Sequence, residues 1–235
     1  MSSAILSVGD LRVFHDETEV VHGVSFEIPP DSVTGIIGVN GAGKTATALA
    51  IAGLLRSTGK IVFNGSPIEP LTPWTRSHGG IALVQEGRRL FHGLTVAENL
   101  GLASWRRGRT RSEIARQIEL IHDLFPVLKR KQNDPASRLS GGEQQMLAVG
   151  QGLMTFPKLI ILDEPTAGLA PKIVGEMLQV IGRLSREGYT AIIVDQSVSN
   201  VRSVAQRAII MRLGHVVRSL NVDALNDTVV AEFLT

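Results

Sequence analysis

One short stretch limits what this chain can fold into more than any other. Gly38-Val39-Asn40-Gly41-Ala42-Gly43-Lys44-Thr45 fits G-x-x-x-x-G-K-[ST], a phosphate-binding loop. The motif needs a strand before it and a helix after it, and both are written here. The apolar run Val33 to Ile37 leads in as a buried strand, and Ala46 to Leu55 leads out as a helix. Glycines let backbone N–H groups turn toward phosphates with no β-carbon in the way. The first helical turn adds N–H groups without intrahelical acceptors and the positive end of the helix dipole. Lys44 can reach the β- and γ-phosphates, and the Thr45 hydroxyl can ligate Mg²⁺. A plain glycine turn between strand and helix would not need Lys-Thr at its end. The stretch therefore implies a bound nucleoside triphosphate, and the rest of the chain must say in what machine.

The flanking texture is that of an α/β protein. Ile5 to Phe14 reads as a strand with a turn or bulge at Gly9-Asp10, and Glu19 to Ile28 as a second strand closed by Pro29-Pro30. Gly59 to Phe63 is a short strand followed by Asn64-Gly65, a strong hairpin signal. Ile81 to Val84 is another short strand. From Glu86 to Leu139 the chain turns helical and charged. Thr95-Val96-Ala97-Glu98 is a capping box, and Ile114, Ile118, Ile121 and Phe125 recur at helical spacing. The basic clusters around it, Trp105-Arg106-Arg107-Gly108-Arg109 and Lys129-Arg130-Lys131, read as solvated ends and loops before they read as a docking surface. Helix Glu143 to Phe156, strand Lys158 to Leu162, helix Pro171 to Arg186, strand Thr190 to Val194, helix Ser197 to Ala205 and a hairpin across Gly214 complete an alternation that predicts a parallel sheet. With 43% hydrophobic residues the chain has material for a sizeable core. No run approaches the ~18 apolar residues of a membrane span, and Met1-Ser2-Ser3-Ala4 does not open a signal peptide. There is no cysteine, which excludes disulfides, thiolate zinc sites and thiol catalysis. A net charge of +2 gives no reason to expect nucleic acid.

Two further constellations carry chemistry. Leu159-Ile160-Ile161-Leu162-Asp163-Glu164 is a buried strand that delivers two carboxylates at its carboxyl end, the edge where such sheets bind ligands. Asp163 can hold Mg²⁺, and Glu164 is placed to orient or deprotonate a water attacking the γ-phosphate. Leu139-Ser140-Gly141-Gly142-Glu143-Gln144-Gln145 is locally a capping box, with Ser140 as N-cap and Glu143 at the third helical position. That leaves Gly141-Gly142 unexplained, since each glycine in a helix costs about 1 kcal/mol against alanine. Bare N–H groups beside a serine hydroxyl make an anion site. A chain that already owns one phosphate cradle has use for a second if it serves the nucleotide of another copy.

In this order, the motifs resemble those of the ATP-binding subunits of ABC transporters, over essentially the whole chain. The resemblance implies a P-loop α/β fold with a RecA-like parallel-sheet core, an N-terminal antiparallel β region and an inserted helical subdomain. It divides the chain into a nucleotide-binding core, 1–85 and 141–235, and a helical lobe, 86–140. It implies ATP and Mg²⁺ as ligands, with hydrolysis driving a membrane permease. It implies contacts to nucleotide from His15, Val20, Gly38, Asn40, Gly41, Ala42, Gly43, Lys44, Thr45 and Ala46. Across a head-to-tail dimer of like or unlike ATPase subunits, Ser140, Gly141, Gly142 and Glu143 complete the site. Thr45, Asp163 and Gln85 are the implied metal contacts; Lys44, Glu164, Gln196 and Gln85 or Glu86 the implied catalytic ones. Such a subunit sits on the cytoplasmic face of the inner or plasma membrane, held by integral permease subunits, and serves a solute-binding protein only indirectly. Glu86-Gly87-Arg88-Arg89-Leu90-Phe91, Leu94-Thr95-Val96-Ala97-Glu98-Asn99-Leu100 and Asp163-Glu164-Pro165-Thr166-Ala167-Gly168-Leu169-Ala170-Pro171 are similar to branched-chain amino acid importers in particular. Urea importers and lipopolysaccharide exporters are near relatives.

The chain departs from the family pattern in places. The inter-lobe glutamine of the family falls at Glu86 by counting back from Leu90-Phe91, with Gln85 one residue earlier. Gln196 stands where a histidine is usual; it can hydrogen-bond a γ-phosphate but cannot carry a proton's charge there. His15, beside Phe14, replaces the aromatic that stacks on adenine. Ala46 stands where a second threonine is common, and Ala170 where an aspartate is usual. Other classes fit less well. DNA-maintenance ATPases with this head need a long coiled coil or cysteine-zinc modules between the cradle and Ser140. Ribosome-associated members carry two cassettes, and GTPase switches need an N-K-x-D element that is not here.

Overall fold

The computed structural model describes residues 4–105 and 108–234. Met1 to Ser3, and Arg106 and Arg107 of the basic stretch after Trp105, lie outside the described residues. In chain order the elements are β1 (Leu6–His15), β2 (Thr18–Ile28), β3 (Val33–Ile37), α1 (Lys44–Ile51), β4 (Arg56–Phe63), β5 (Ser66–Pro67), α2 (Pro73–His78) and β6 (Ile81–Val84). Helices α3 (Val96–Ala103), α4 (Arg111–Leu124) and α5 (Pro126–Arg130) follow, with a 3₁₀ turn at Ala136–Arg138. Then come α6 (Gly141–Met154), β7 (Leu159–Asp163), α7 (Pro171–Leu184), β8 (Thr190–Asp195), α8 (Val198–Val204), β9 (Arg207–Arg212), β10 (His215–Asn221) and α9 (Asp227–Leu234).

The strands form two sheets. One is antiparallel, in the order β2-β1-β4-β5; the other has the order β10-β9-β3-β8-β7-β6. In the second sheet β6, β7, β8, β3 and β9 run parallel, and β10 closes one edge antiparallel to β9. Every residue of β3, β7 and β8 is buried, which explains why these strands read as continuous apolar runs. The pleat sends alternate side chains to opposite faces. Ile36, Leu159, Ile161, Ile192 and Val194 pack with α1 and the antiparallel sheet. Ile37, Ile160, Leu162, Ala191 and Ile193 pack against α6, α7 and α8 on the other face. The carboxyl ends of β3, β7 and β8 thus come together on one edge, with the cradle, Asp163-Glu164 and Gln196 at their tips.

Several boundaries differ from the sequence reading. α1 spans Lys44–Ile51 rather than Ala46 to Leu55. It starts earlier because Lys44 and Thr45 already belong to the turn that holds the loop. It stops earlier because Gly53 takes a positive φ of 80° and sends the chain into β4. β4 begins at Arg56, three residues before Gly59, because Phe14, Val13 and Arg12 of β1 pair with Arg56, Ser57 and Thr58. α6 begins at Gly141 rather than Glu143. The expected irregularity at Gly9-Asp10 is present: the β1 register shifts there and Asp10 has φ 45°. Asn64 and Gly65 both take positive φ, as their hairpin requires. α2 and α9, of six and eight residues, are too short for hydrophobic periodicity to mark them.

Candidate functional site

The cradle is built by its neighbours as much as by its own residues. Gly43 takes φ 93°, and a β-carbon there would meet the Val21 side chain and the Val20 carbonyl. The Gly214 N–H donates to the Ala42 carbonyl at 3.1 Å, and the Gly214 carbonyl accepts from the His22 N–H at 2.8 Å. The tip of the β9–β10 hairpin therefore braces the loop against β2. His15, Val20, Asn40, Gly41, Ala42, Gly43, Lys44, Thr45, Ala46 and Glu164 line one pocket of about 280 Å³. Gly38 lies beneath the loop, where it packs against the Met211 carbonyl. The Lys44 ammonium is 4% exposed and donates to the carbonyls of Gly38 at 2.8 Å and Val39 at 3.1 Å. Burial lowers its pKa, and the charges of Glu164, Asp163 and Asp195 work against that.

Thr45 Oγ1 donates to Asp163 Oδ1 at 3.0 Å. Asp163 is buried, and burial pushes its carboxyl up to about 6; the Thr45 bond and Lys44 oppose the rise, Glu164 and Glu86 add to it. A hydroxyl and a carboxylate amid surplus negative charge form a donor set that suits a hard divalent cation. Glu164 sits at φ 45°, outside the usual range for a non-glycine residue, with its N–H held by the Val194 carbonyl at 2.9 Å. That backbone turn lifts its carboxylate off the end of β7 toward the cradle.

Glu86 and Gln85 part company. Glu86 lies near enough for its charge to act on Asp163, and with Glu164 it lines a polar pocket of about 270 Å³. Gln85 lines an apolar groove on another side. Gln196 is exposed in the turn after β8 and does not line the cradle pocket. Ser140, Gly141, Gly142 and Glu143 open α6 as the expected capping box: Ser140 N–H donates to Glu143 Oε2 at 2.8 Å, and Glu143 N–H to Ser140 Oγ at 3.3 Å. Lys131 adds an ion pair to Glu143 at 2.8 Å. None of these four lines the cradle pocket of its own chain.

A buried junction, unmarked by any motif, joins the turn after β7 to the turn after β8. Asp195 Oδ2 accepts from Thr166 Oγ1 at 3.0 Å and from Asn200 Nδ2 at 3.1 Å, and Oδ1 from the Ser197 N–H at 2.8 Å. Asn200 Nδ2 also donates to Thr166 Oγ1 at 3.0 Å. The triangle ties the turn bearing Glu164 to the turn bearing Gln196. Its only trace in the sequence is an aspartate ending a buried strand.

A glycine cradle at the head of a helix, a lysine, and a strand-end Asp-Glu pair on a doubly covered parallel sheet define a P-loop nucleoside triphosphatase. A profile described as ABC transporter matches residues 21–167. The high-affinity branched-chain amino acid transport ATP-binding protein BraG of Pseudomonas aeruginosa is 36% identical over 214 residues, 91% of each chain. The lipopolysaccharide export system ATP-binding protein LptB of Haemophilus influenzae is 32% identical over 216 residues, 91% of this chain and 89% of that one. The ADP conformation of MJ1267, an ATP-binding cassette of an ABC transporter, superposes with a TM-score of 0.83 at 26% identity, over 98% of both chains. This chain belongs to the ABC transporter family, as an ATP-binding and ATP-hydrolysing subunit.

Proposed function

We propose that the chain powers import of branched-chain amino acids, and that its cradle works as one half of a two-chain ATPase. The substrate class is supported by the likeness to BraG along nine-tenths of both chains. The mechanism is supported by one convergence: Lys44, Thr45 bonded to Asp163, and Glu164 meet at one pocket. In this reading the amides of Gly41 to Thr45 and the Lys44 ammonium bind the β- and γ-phosphates. Thr45 and Asp163 hold Mg²⁺, which when bound supplies charge neutralisation at the phosphates. Glu164 accepts the proton of the attacking water. Glu86 faces Asp163 as the inter-lobe residue, and His15 and Val20 flank the base. Gln196 lies outside the pocket as it stands, but on the turn tied through Asp195 to the one bearing Glu164, from which it would reach the γ-phosphate. Ser140 and Gly141 serve the nucleotide of the second ATPase subunit, because in their own chain they stand outside the cradle pocket.

The permease contact falls, in this proposal, on the helical lobe of residues 86–140. An apolar groove of about 540 Å³ is lined by Phe91, Leu102, Trp105, Ala148 and Gln85, among others. Phe91, Leu102 and Trp105 are 58%, 45% and 70% exposed. Exposed aromatics of this kind mark a protein contact, and the family supplies the occupant: a cytoplasmic segment of the permease. No helix among the described residues is long and apolar enough to cross a membrane. The contact would hold the subunit at the cytoplasmic face.

Reconstitution tests the substrate. In proteoliposomes holding this subunit, its permease and the solute receptor, leucine, isoleucine or valine is expected to stimulate ATP hydrolysis several-fold. Stimulation by urea or by lipopolysaccharide instead would overturn the assignment. The role of Gln196 has its own test. A side chain that cannot carry charge stabilises the developing phosphate charge less than a histidinium does. Gln196→His is expected to raise turnover at saturating ATP and Gln196→Ala to lower it, each by roughly tenfold. Phosphate release is the readout, and three equal rates would remove Gln196 from the site.

A further inference from the structure

The start of α6 holds more cationic chemistry than its serine and glycines. Arg88, on the loop after β6, takes φ 46°, a backbone region that arginine adopts only at a cost. That turn lays its guanidinium against the first turn of α6: a β-carbon at Gly141 would stand 2.8 Å from Arg88 Nη1. Arg88 thus lies on Gly141, where its long side chain could still give way to a β-carbon. Gly142 is more firmly bound to be bare, since a β-carbon there would stand 2.6 Å from Ile173 Cγ2 of α7.

A cation at the amino-terminal end of a helix faces the positive end of the dipole, which is unfavourable unless an anion sits between them. Carboxylates of Glu86 and Glu164 share the polar pocket with Arg88. Among the described residues none of them comes within 4.0 Å of its guanidinium. Arg88 Nε instead donates to Gln145 Oε1 at 3.3 Å. Gln145, 4% exposed, lines the same pocket, and its Nε2 is buried with no acceptor. The capping box uses the N–H groups of Ser140 and Glu143, while those of Gly141 and Gly142 have no intrahelical acceptor. The start of α6 thus offers donors, the Ser140 hydroxyl and the Gly141 and Gly142 N–H groups, with the Arg88 guanidinium laid against Gly141.

We propose that Arg88 is a phosphate-binding residue that acts across the subunit interface: with Ser140 and the N–H groups of Gly141 and Gly142, it grips the γ-phosphate of ATP seated in the partner's cradle. The inference rests on the reading that α6 serves a second subunit's nucleotide. A planar guanidinium can give two parallel hydrogen bonds to phosphate oxygens and balances the charge that the three neutral donors leave uncompensated. It also accounts for the cost of the left-handed arginine.

The test uses ATP-driven dimerisation in the Glu164→Gln background, followed by sedimentation velocity over a range of Mg·ATP concentrations. Adding Arg88→Met is expected to raise the ATP concentration at half-dimerisation by about tenfold, and Arg88→Lys by about threefold, the loss of one charge-assisted contact or of its fork. ATP binding to the dilute monomer, measured by equilibrium dialysis, is expected to stay unchanged, because Arg88 does not line its own cradle. Dimerisation of the Arg88→Met and Arg88→Lys proteins at the parent's ATP concentration, with Ser140→Ala impaired, would overturn the role of Arg88 alone. A parent that stays monomeric in saturating ATP, or a Ser140→Ala protein that dimerises like it, would overturn the two-chain reading and this proposal with it. Weakened ATP binding by the Arg88→Met monomer would count against it as well, since the effect would then lie within one chain.

Discussion

Glu164→Gln is expected to lower ATP turnover by about 10²–10⁴-fold, the size of a general-base contribution, while leaving ATP bound as tightly or more so. The two halves of that expectation have separate causes. The substitution keeps the shape of the side chain at the end of β7 and the N–H bond to Val194, so the local fold has no reason to change. What it removes is the proposed acceptor for the water's proton and one negative charge. That charge is the strongest of those acting on Lys44, and it also adds to the crowding felt by Asp163. Removing it beside a triphosphate lessens repulsion, so the nucleotide is held while its hydrolysis is blocked. If the pocket is completed by a second chain, the arrested state is a dimer with ATP inside. Phosphate release under saturating Mg·ATP measures the first effect, and size-exclusion chromatography with light scattering the second. Turnover within threefold of the parent would remove Glu164 from the role of base; a monomer throughout the ATP range would remove the sandwich.

The same residues show what a sequence can and cannot carry. The cradle was legible because its chemistry, its spacing and its flanks all lie within one strand, one turn and one helix. The capping box at Ser140 was legible for the same reason: its donors and acceptors are three residues apart. The glycines behind that serine were only half legible. Their sequence reads as bare N–H groups for an anion, but the structure adds Ile173 on Gly142 and the guanidinium of Arg88 on Gly141. Both partners are distant in sequence. Gln85 and Glu86 could not be told apart by counting, because neighbours on a loop can face opposite ways. Here Gly87 and Arg88 both take positive φ, and the turn they make puts the glutamate near Asp163 and the glutamine in the groove. α2 escaped notice because six residues cannot display a helical period; its one local sign was Thr72 before Pro73, an N-cap with proline at the first position. Its reason for existing lies elsewhere, in α1, the helix that opens from the glycine cradle.

That reason is Arg76. Among the described residues α1 has no basic residue in its last turn, yet the carbonyls there need donors and the negative end of the dipole favours a cation. α2 supplies both from outside. Arg76, 5% exposed, donates through Nη1 to Ala50 O at 2.7 Å and Ile51 O at 3.0 Å, through Nη2 to Glu69 O at 3.1 Å and through Nε to Leu71 O at 3.1 Å. Burial pulls its pKa below the usual arginine range, with Glu69 opposing, but a guanidinium stays charged in a protein. Arg76→Met fits the stem of the side chain and removes every one of these donors. The Ala50 carbonyl keeps the Gly53 N–H at 3.0 Å, but leaving the Ile51, Glu69 and Leu71 carbonyls without these donors is expected to cost about 3 kcal/mol of folding stability. Arg76→Lys keeps the charge but not the fork, and is expected to lose about half as much. Urea unfolding reads this as a lower midpoint at unchanged slope. A second readout separates the helix end from general stability. Because α1 begins at the glycine cradle, where we propose the phosphates bind, loosening its last turn is expected to weaken Mg·ATP binding in the Met variant at urea concentrations where it is still folded, and less so in the Lys variant. A midpoint within the error of the parent, or lost stability with unaltered ATP affinity, would show that the phosphate helix keeps its position without the arginine that caps it.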